Sequence, residues 1–347
     1  DNDGTNIKQI SFNQSHDRNP TVLATGEIMY ARWDHVGGRN QFSIFKINPD
    51  GSDYFVLYGA HSPGNSYLHP RQMPDGRVIS SLMPLSGTRE GGSLEIIDIA
   101  NYSENDEPAE GAGVPNTLGE RRGQYQVSQV MNTGASTSDH TAMRGRGVSR
   151  LGRYSTPYPL WDGTSRVLVA YSPSQPTTEN NAFLGARTVE GDPQYGIWML
   201  NLDRGTLNVV VLPQAGYLFA DPVALQARPE PAPKTGSGFV DAGLAGQGLG
   251  LLNVKSVYDT DGRGRMGSTV LASGESIPQT GSPTRPDLNT MKNPGNTTQY
   301  PSRVARFFRI TKAVATPAGL DRETIGEEEF EMQQIVGYGV IEPDGSM

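Results

Sequence analysis

The stretch Pro20–Gly51, PTVLATGEIMYARWDHVGGRNQFSIFKINPDG, sets the reading of the chain. It opens with a turn from Pro20 to Gly26 and passes into the alternating run Ile28-Met29-Tyr30-Ala31-Arg32-Trp33. Period-two alternation rich in aromatic and β-branched residues marks a half-buried strand. Gly37-Gly38 supplies the next turn, Phe42–Ile47 a second strand, and Asn48-Pro49-Asp50-Gly51 stops it. Tyr54–Tyr58 follows as a third strand, so the unit is a set of strands joined by tight turns.

The unit recurs. Pro70-Arg71-Gln72-Met73-Pro74-Asp75-Gly76 copies the opening and leads into Val78–Leu82; Pro157-Tyr158-Pro159-Leu160-Trp161-Asp162-Gly163 copies it again before Val167–Tyr171. The closing half repeats as well, in Leu94–Ile99 and Ile197–Leu202, and Asp221-Pro222-Val223-Ala224-Leu225 begins a fourth, imperfect copy. A repeat of roughly fifty residues is what a four-stranded blade with loops requires. The expected fold is therefore all-β, a β-propeller of six or seven blades, not all of them necessarily within this chain. The blades are assigned to residues 1–250 with a long polar insertion at 101–150, in which Tyr125-Gln126-Val127-Ser128 hints at a further, degenerate blade. Residues 251–347 form an additional β module with strands at Leu251–Tyr258, Val304–Ile310 and Ile335–Ile341, reading as truncated at its end. Asp3–Ser11 aligns with Asp50–Tyr58 as a stray outer strand, which either completes the last blade of a ring or follows blades that precede this sequence.

Composition narrows the function classes. With 42 Gly, 25 Pro and 19% charged residues in 347, the chain suits a turn-rich β protein and has no long helical pattern. A formal charge of −8 argues against nucleic acid as partner. The absence of cysteine excludes disulfides, thiolate metal sites and thioether-attached haem within this chain. No apolar run has the length of a membrane span, and the chain opens at Asp1, which is compatible with a leader already removed.

Several motifs invite a chemical reading. Gly262-Arg263-Gly264-Arg265-Met266-Gly267 matches a dinucleotide fingerprint in letters, but no amphipathic helix follows to hold a phosphate. No other cofactor-binding motif is present. Asp1-Asn2-Asp3-Gly4 and Asp259-Thr260-Asp261-Gly262 offer oxygens in tight turns, so calcium is a candidate ligand; without a spaced bidentate Glu, plain Asx turns explain them better. Ser138-Asp139-His140 cannot form a relay from adjacent positions. His16 and His69, just ahead of Pro20 and Pro70, are either structural caps or ligands of a metal assembled between blades. Arg32-Trp33-Asp34-His35 is the candidate polar site, because charge at the end of a buried strand needs a partner or a role; an Arg–Asp brace is the structural alternative.

At these residues a family resemblance emerges. His16-Asp17-Arg18-Asn19-Pro20-Thr21-Val22-Leu23, Tyr30-Ala31-Arg32-Trp33-Asp34 and Asn48-Pro49-Asp50-Gly51 resemble the propeller region of hydrazine synthase alpha-subunit-related proteins. The resemblance continues through Pro157–Leu160, Asp221–Leu225 with Arg228-Pro229, and Val340–Ser346; more distantly, the repeats resemble the Tol-type periplasmic propeller. It implies an exported, periplasmic or extracellular protein, and in the family a Cys-x-x-Cys-His haem part follows the last motif. This chain has no Cys, so haem belongs only to a longer parent and the redox chemistry is not carried over. Three functions follow as expectations. The first is a non-catalytic docking or assembly scaffold for a protein partner in a redox or envelope complex. The second is the propeller portion of a multihaem oxidoreductase, with Asp34, His35, His16 or His69 contributing. The third is a sugar- or peptide-binding propeller using mouth aromatics such as Trp33 or Trp161.

Overall fold

The structure is a computed structural model and describes residues 3–5, 7–11, 16, 17–36, 39–59, 66–83, 91–100, 124–126, 152–182, 185–234, 241–254, 256–257, 305–313, 333–343 and 345–347. Three four-stranded antiparallel sheets follow one another along the chain. The first takes its strands in order, β1 (Asp17–Val22), β2 (Ile28–Val36), β3 (Arg39–Ile47) and β4 (Phe55–Tyr58). The second repeats the meander with β5 (Ser66–Gln72), β6 (Val78–Met83), β7 (Ser93–Ile97) and β8 (Gln124–Gln126). The third is built from β9 (Arg153–Pro159), β10 (Arg166–Ser172), β13 (Gly196–Asn201) and β14 (Thr206–Val211). Between β10 and β13 a separate hairpin is inserted, β11 (Pro176–Asn181) with β12 (Gly185–Glu190). None of the sheets closes on itself.

The turn chemistry explains why the meander forms. At the first hairpin Leu23 N–H donates to the Glu27 carbonyl and Gly26 N–H to the Leu23 carbonyl, both at 2.9 Å, with Gly26 at φ +84°. Gly76 and Gly163 hold the matching positive φ in the second and third copies. Only glycine takes that conformation without strain, and a tight turn ending in a left-handed residue suits the right-handed twist of paired strands. Asp50, Asp75 and Asp162 each accept backbone hydrogen bonds from two residues on, fixing further turns.

The sheets stack through their faces. Met29, Ile44 and Tyr58 of the first meet Tyr67, Val78, Leu82 and Ile97 of the second in one buried cluster. Ile79, Leu94 and Ile96 point the other way and meet Tyr154, Val167, Val169 and Leu200 of the third. The middle sheet is thus apolar on both faces, and every residue of β6 is buried. Fully burying an aliphatic side chain of this size contributes about 1.5–3 kcal/mol, so the two clusters carry the stacking.

Beyond the third sheet, 212–234 is extended and crosses back to the first. Asp221 N–H donates to Thr156 Oγ1 at 3.0 Å, Arg228 Nη2 to the Val22 carbonyl at 3.0 Å, and Ala232 N–H to the Ala24 carbonyl at 2.9 Å. A short helix, α1 (Ala242–Gly246), follows, capped by Asp241 Oδ1 at 2.9 Å from the Gly243 and Leu244 amides. The last hairpin pairs β15 (Phe307–Ala313) with β16 (Gln333–Val340).

Several expectations need correction. The turns expected over Pro20–Gly26 and its copies begin later: Pro20, Pro70 and Pro157 lie inside a first strand that precedes the turn. Of the alternating run at 125–128, Tyr125 and Gln126 lie in β8, which pairs with β7 as the fourth strand of the second sheet, and the remainder lies outside the described residues. No strand forms over the described residues of 7–11; instead Ile10 packs against the cluster of Tyr30, Phe45 and Ile47 in the first sheet. Described residues of 251–257 also form no strand, although Val254 and Met347 exchange backbone hydrogen bonds and Val257 N–H donates to the Gly345 carbonyl. Most of 101–150 and the motifs at 138–140 and 259–267 lie outside the described residues.

Candidate functional site

The repeat places a special backbone at the first strand of each sheet. The residue before each repeat proline has a positive φ: Asn19 (55°), His69 (54°), Thr156 (45°) and, in the fourth copy, Asp221 (51°). In β1, β5 and β9 the strand register slips at that point, between Arg18 and Thr21, Leu68 and Arg71, and opposite Val169. The proline has no N–H to give to the ladder, so an extra residue bulges out and re-aims the chain. Non-glycine residues in this region cost about 1–2 kcal/mol each. Four equivalent instances therefore mark a backbone device, and strain of this kind concentrates where a structure is used.

The device joins one copy to the next. His69 N–H donates to Asn19 Oδ1 at 3.3 Å, and Asp221 N–H to Thr156 Oγ1 at 3.0 Å. Arg71, next to Pro70, donates from Nη1 to the Asn19 carbonyl at 3.4 Å and the Pro70 carbonyl at 3.1 Å. Burial pushes the Arg71 guanidinium below its ordinary value; the Asp221 carboxylate opposes that shift, Arg228 adds to it, and Tyr158 opposes it. Even so lowered, an arginine remains charged. Arg228 itself lies over the Trp161 ring at 4.7 Å. Asn19, His69, Thr156, Asp221, Arg71 and Arg228 were not singled out as a group from the sequence. Aligning the four residue-before-proline positions, Asn, His, Thr and Asp, is the signal that finds them.

The expected polar cluster is divided by the strand. Arg32 and Trp33 sit on opposite faces of β2: the Arg32 guanidinium lies over the Phe45 and Tyr54 rings at 5.2 and 5.0 Å and donates to the Tyr54 hydroxyl. Trp33 stacks on Phe42 at 6.1 Å and against His16 at 5.4 Å. Asp34 and His35 pair with Gln41 and Asn40 through the backbone, and their side chains lie outside the described residues. His16 is exposed just ahead of β1, whereas His69 is buried in β5. Among the described residues no group of three or more His, Cys, Asp or Glu side chains is arranged to hold a metal. Asp3 accepts from Thr5 N–H at 2.9 Å and Thr5 Oγ1 at 2.7 Å, an Asx turn whose hydrogen bonds hold its carboxyl below the ordinary value.

A cleft of about 460 Å³ opens between the second and third sheets. Its floor is aliphatic, with Met73, Ile96, Leu160 and Leu200, and its rim carries the Arg77–Asp75 and Arg166–Asp162 ion pairs, each 2.6 Å. Among the described residues no aromatic ring lines it. Large apolar side chains are exposed elsewhere: Val209–Leu212 along β14 and just beyond, and Phe307, Val336, Tyr338 and Val340 on the last hairpin. Among the described residues no helix is long and apolar enough to cross a membrane, which says nothing of β-barrels.

No family model matches this chain, and no curated protein matches it. Among solved structures, hydrazine synthase of Kuenenia stuttgartiensis is similar over 97% of this chain, at 18% identity and a TM-score of 0.49. The match covers 39% of that chain, so this sequence spans about two-fifths of its length.

Proposed function

We propose that this chain is a β-propeller scaffold, exported to the periplasm or beyond, that docks a protein partner within a redox or envelope complex. The observation that carries the reading is the concentration of exposed large apolar side chains on β14 and on the β15–β16 hairpin: Phe307 is 72% exposed, Tyr338 69% and Val340 62%. Leaving such surface in water is costly, and contiguous apolar surface of this kind marks interaction sites. The propeller reading draws on the stacked sheets and on the fourfold pre-proline device, whose last copy, Asp221-Pro222, retains the backbone without a strand. The test is Tyr338→Asp with Val336→Asp in the native protein. The double variant is expected to keep its far-ultraviolet circular dichroism and to leave the high-mass assembly on size-exclusion chromatography. An unchanged assembly overturns the docking surface.

The second reading, the propeller portion of a multihaem oxidoreductase, draws on the sequence motifs at Asn48–Gly51 and Val340–Ser346. This chain does not fit haem attachment itself, having no cysteine. A Soret band on the purified native protein, from haem carried by other parts of its polypeptide, favours that reading. Binding of a sugar or peptide that depends on Trp33 or Trp161 would favour the third.

A further inference from the structure

Among the described residues, the paired arginines beneath the pre-proline row have donors with nothing to bind. Arg71 uses Nη1 alone, for the Asn19 and Pro70 carbonyls; its Nε and Nη2 donate to no described residue. Arg228 uses only Nη2, for the Val22 carbonyl, and its guanidinium carbon lies over the Trp161 ring. The two anchoring carbonyls belong to the same strand, β1, three residues apart. Gln226, two residues before Arg228 on the same extended segment, has its Nε2 buried with no acceptor among the described residues. The Asp221 carboxylate is near enough to influence Arg71 but forms neither a hydrogen bond nor an ion pair with it. A buried donor such as Gln226 Nε2 is normally satisfied, and Arg228 is exposed, so a solute can reach its guanidinium. A site that holds guanidinium groups in place with their N–H edges unused is prepared for an anion.

We propose that Arg71 and Arg228, at the junction of β1, β5 and the 221–232 segment, bind a carboxylate. The free Nε–Nη2 edge of Arg71 is a planar fork of two parallel N–H groups, which matches the two oxygens of a carboxylate. Two arginines against Asp221 leave one net positive charge, which matches a monoanionic carboxylate better than a phosphate carrying close to two charges. The spot is positive within a chain whose formal charge is −8, so the attraction is local. The carboxylate comes either from a small free acid or from the C-terminus of another polypeptide; both present the same group to the same fork.

Calorimetric titration of the full chain at constant ionic strength tests this, with acetate, a tripeptide bearing a free C-terminal carboxylate, the same tripeptide amidated, and inorganic phosphate as probes. Saturable binding of acetate or of the free-acid tripeptide is expected, and whichever binds more tightly identifies the source. Arg71→Lys, which keeps the charge and loses the fork, should weaken binding about tenfold or more. Arg228→Gln should weaken it by several-fold, and Asp221→Asn should tighten it, since a competing negative charge is removed. These two substitutions sit on an exposed segment, so they report on the site even where Arg71→Lys disturbs folding. No saturable binding by either carboxylate overturns the proposal. So does equal binding of the amidated tripeptide, tighter binding of phosphate, or failure of both Arg228→Gln and Asp221→Asn to change the affinity.

Discussion

The second and third sheets are built alike and end differently. In the second, β6 is buried at every position because one face meets the first sheet and the other meets the third. In the third, Val167 and Val169 of β10 are buried against the second sheet, while its outer edge β14 is exposed at Thr206 and from Asn208 to Val211. The same β-rich sequence thus serves as core in one place and as surface in the other, and what differs is whether a neighbour covers it. A strand such as Thr206–Val211, with three consecutive valines, is written for burial. That mismatch between sequence and surroundings is the physical basis of the docking proposal.

The comparison is broken first at the core. Leu94→Ala, at a fully buried side chain between the second and third sheets, should cost about 2–5 kcal/mol in urea unfolding. A cost within experimental error would mean that the two sheets do not stack. The next largest effect separates two glycines with the same backbone. A Cβ at Gly26 would run into the Ala232 carbonyl, while at Gly76 it would meet open space. Gly76→Ala should cost about 1–2 kcal/mol from the left-handed backbone alone, and Gly26→Ala distinctly more. Equal costs would detach the 221–234 segment from the first sheet.

A smaller effect concerns the ion pairs on that segment. Glu27 is pushed up by burial, but hydrogen bonds from Lys46 and Thr25 and the charges of Lys46 and Lys234 hold its carboxyl below the ordinary value. The Lys46 contact is 3.0 Å and the Lys234 contact 3.8 Å. A folded-state value below the unfolded one gives stability that is present above the unfolded value and lost as pH falls through the folded one. Glu27→Gln should therefore cost up to about 1 kcal/mol at neutral pH and flatten the loss of stability below about pH 4.5. The smallest effect is expected at Val210→Ala, 55% exposed on β14, with a change within about 0.5 kcal/mol in the isolated chain. A large cost there would show that β14 is covered within the chain itself.

How much of this was legible depends on whether the signal is local. Ile28–Trp33, Phe42–Ile47 and the Pro-to-Gly openings announce strands and turns because alternation and glycine placement act over a few residues. The bulge at each proline is equally local, and the polar residue before each proline carries it, but a reading that takes Pro20–Gly26 as a turn steps past Asn19. β11 and β12 were missed because Pro176–Asn181 and Gly185–Glu190 alternate among polar residues and bury little. The run Arg32-Trp33-Asp34-His35 read as one site because adjacent letters look adjacent, yet successive side chains of a strand leave on opposite faces. Arg71 and Arg228 meet across more than 150 positions of sequence, and no spacing rule brings such a pair together.

Hydroxyl-radical footprinting of the native assembly against the isolated chain tests the docking claim most directly. Phe307 and Tyr338 are exposed and reactive by nature, and both should be protected in the assembly while the exposed Tyr217 serves as an internal reference. Equal oxidation of Phe307 and Tyr338 in the two samples would contradict the account, because the apolar surface that motivates it would then be free in the working protein.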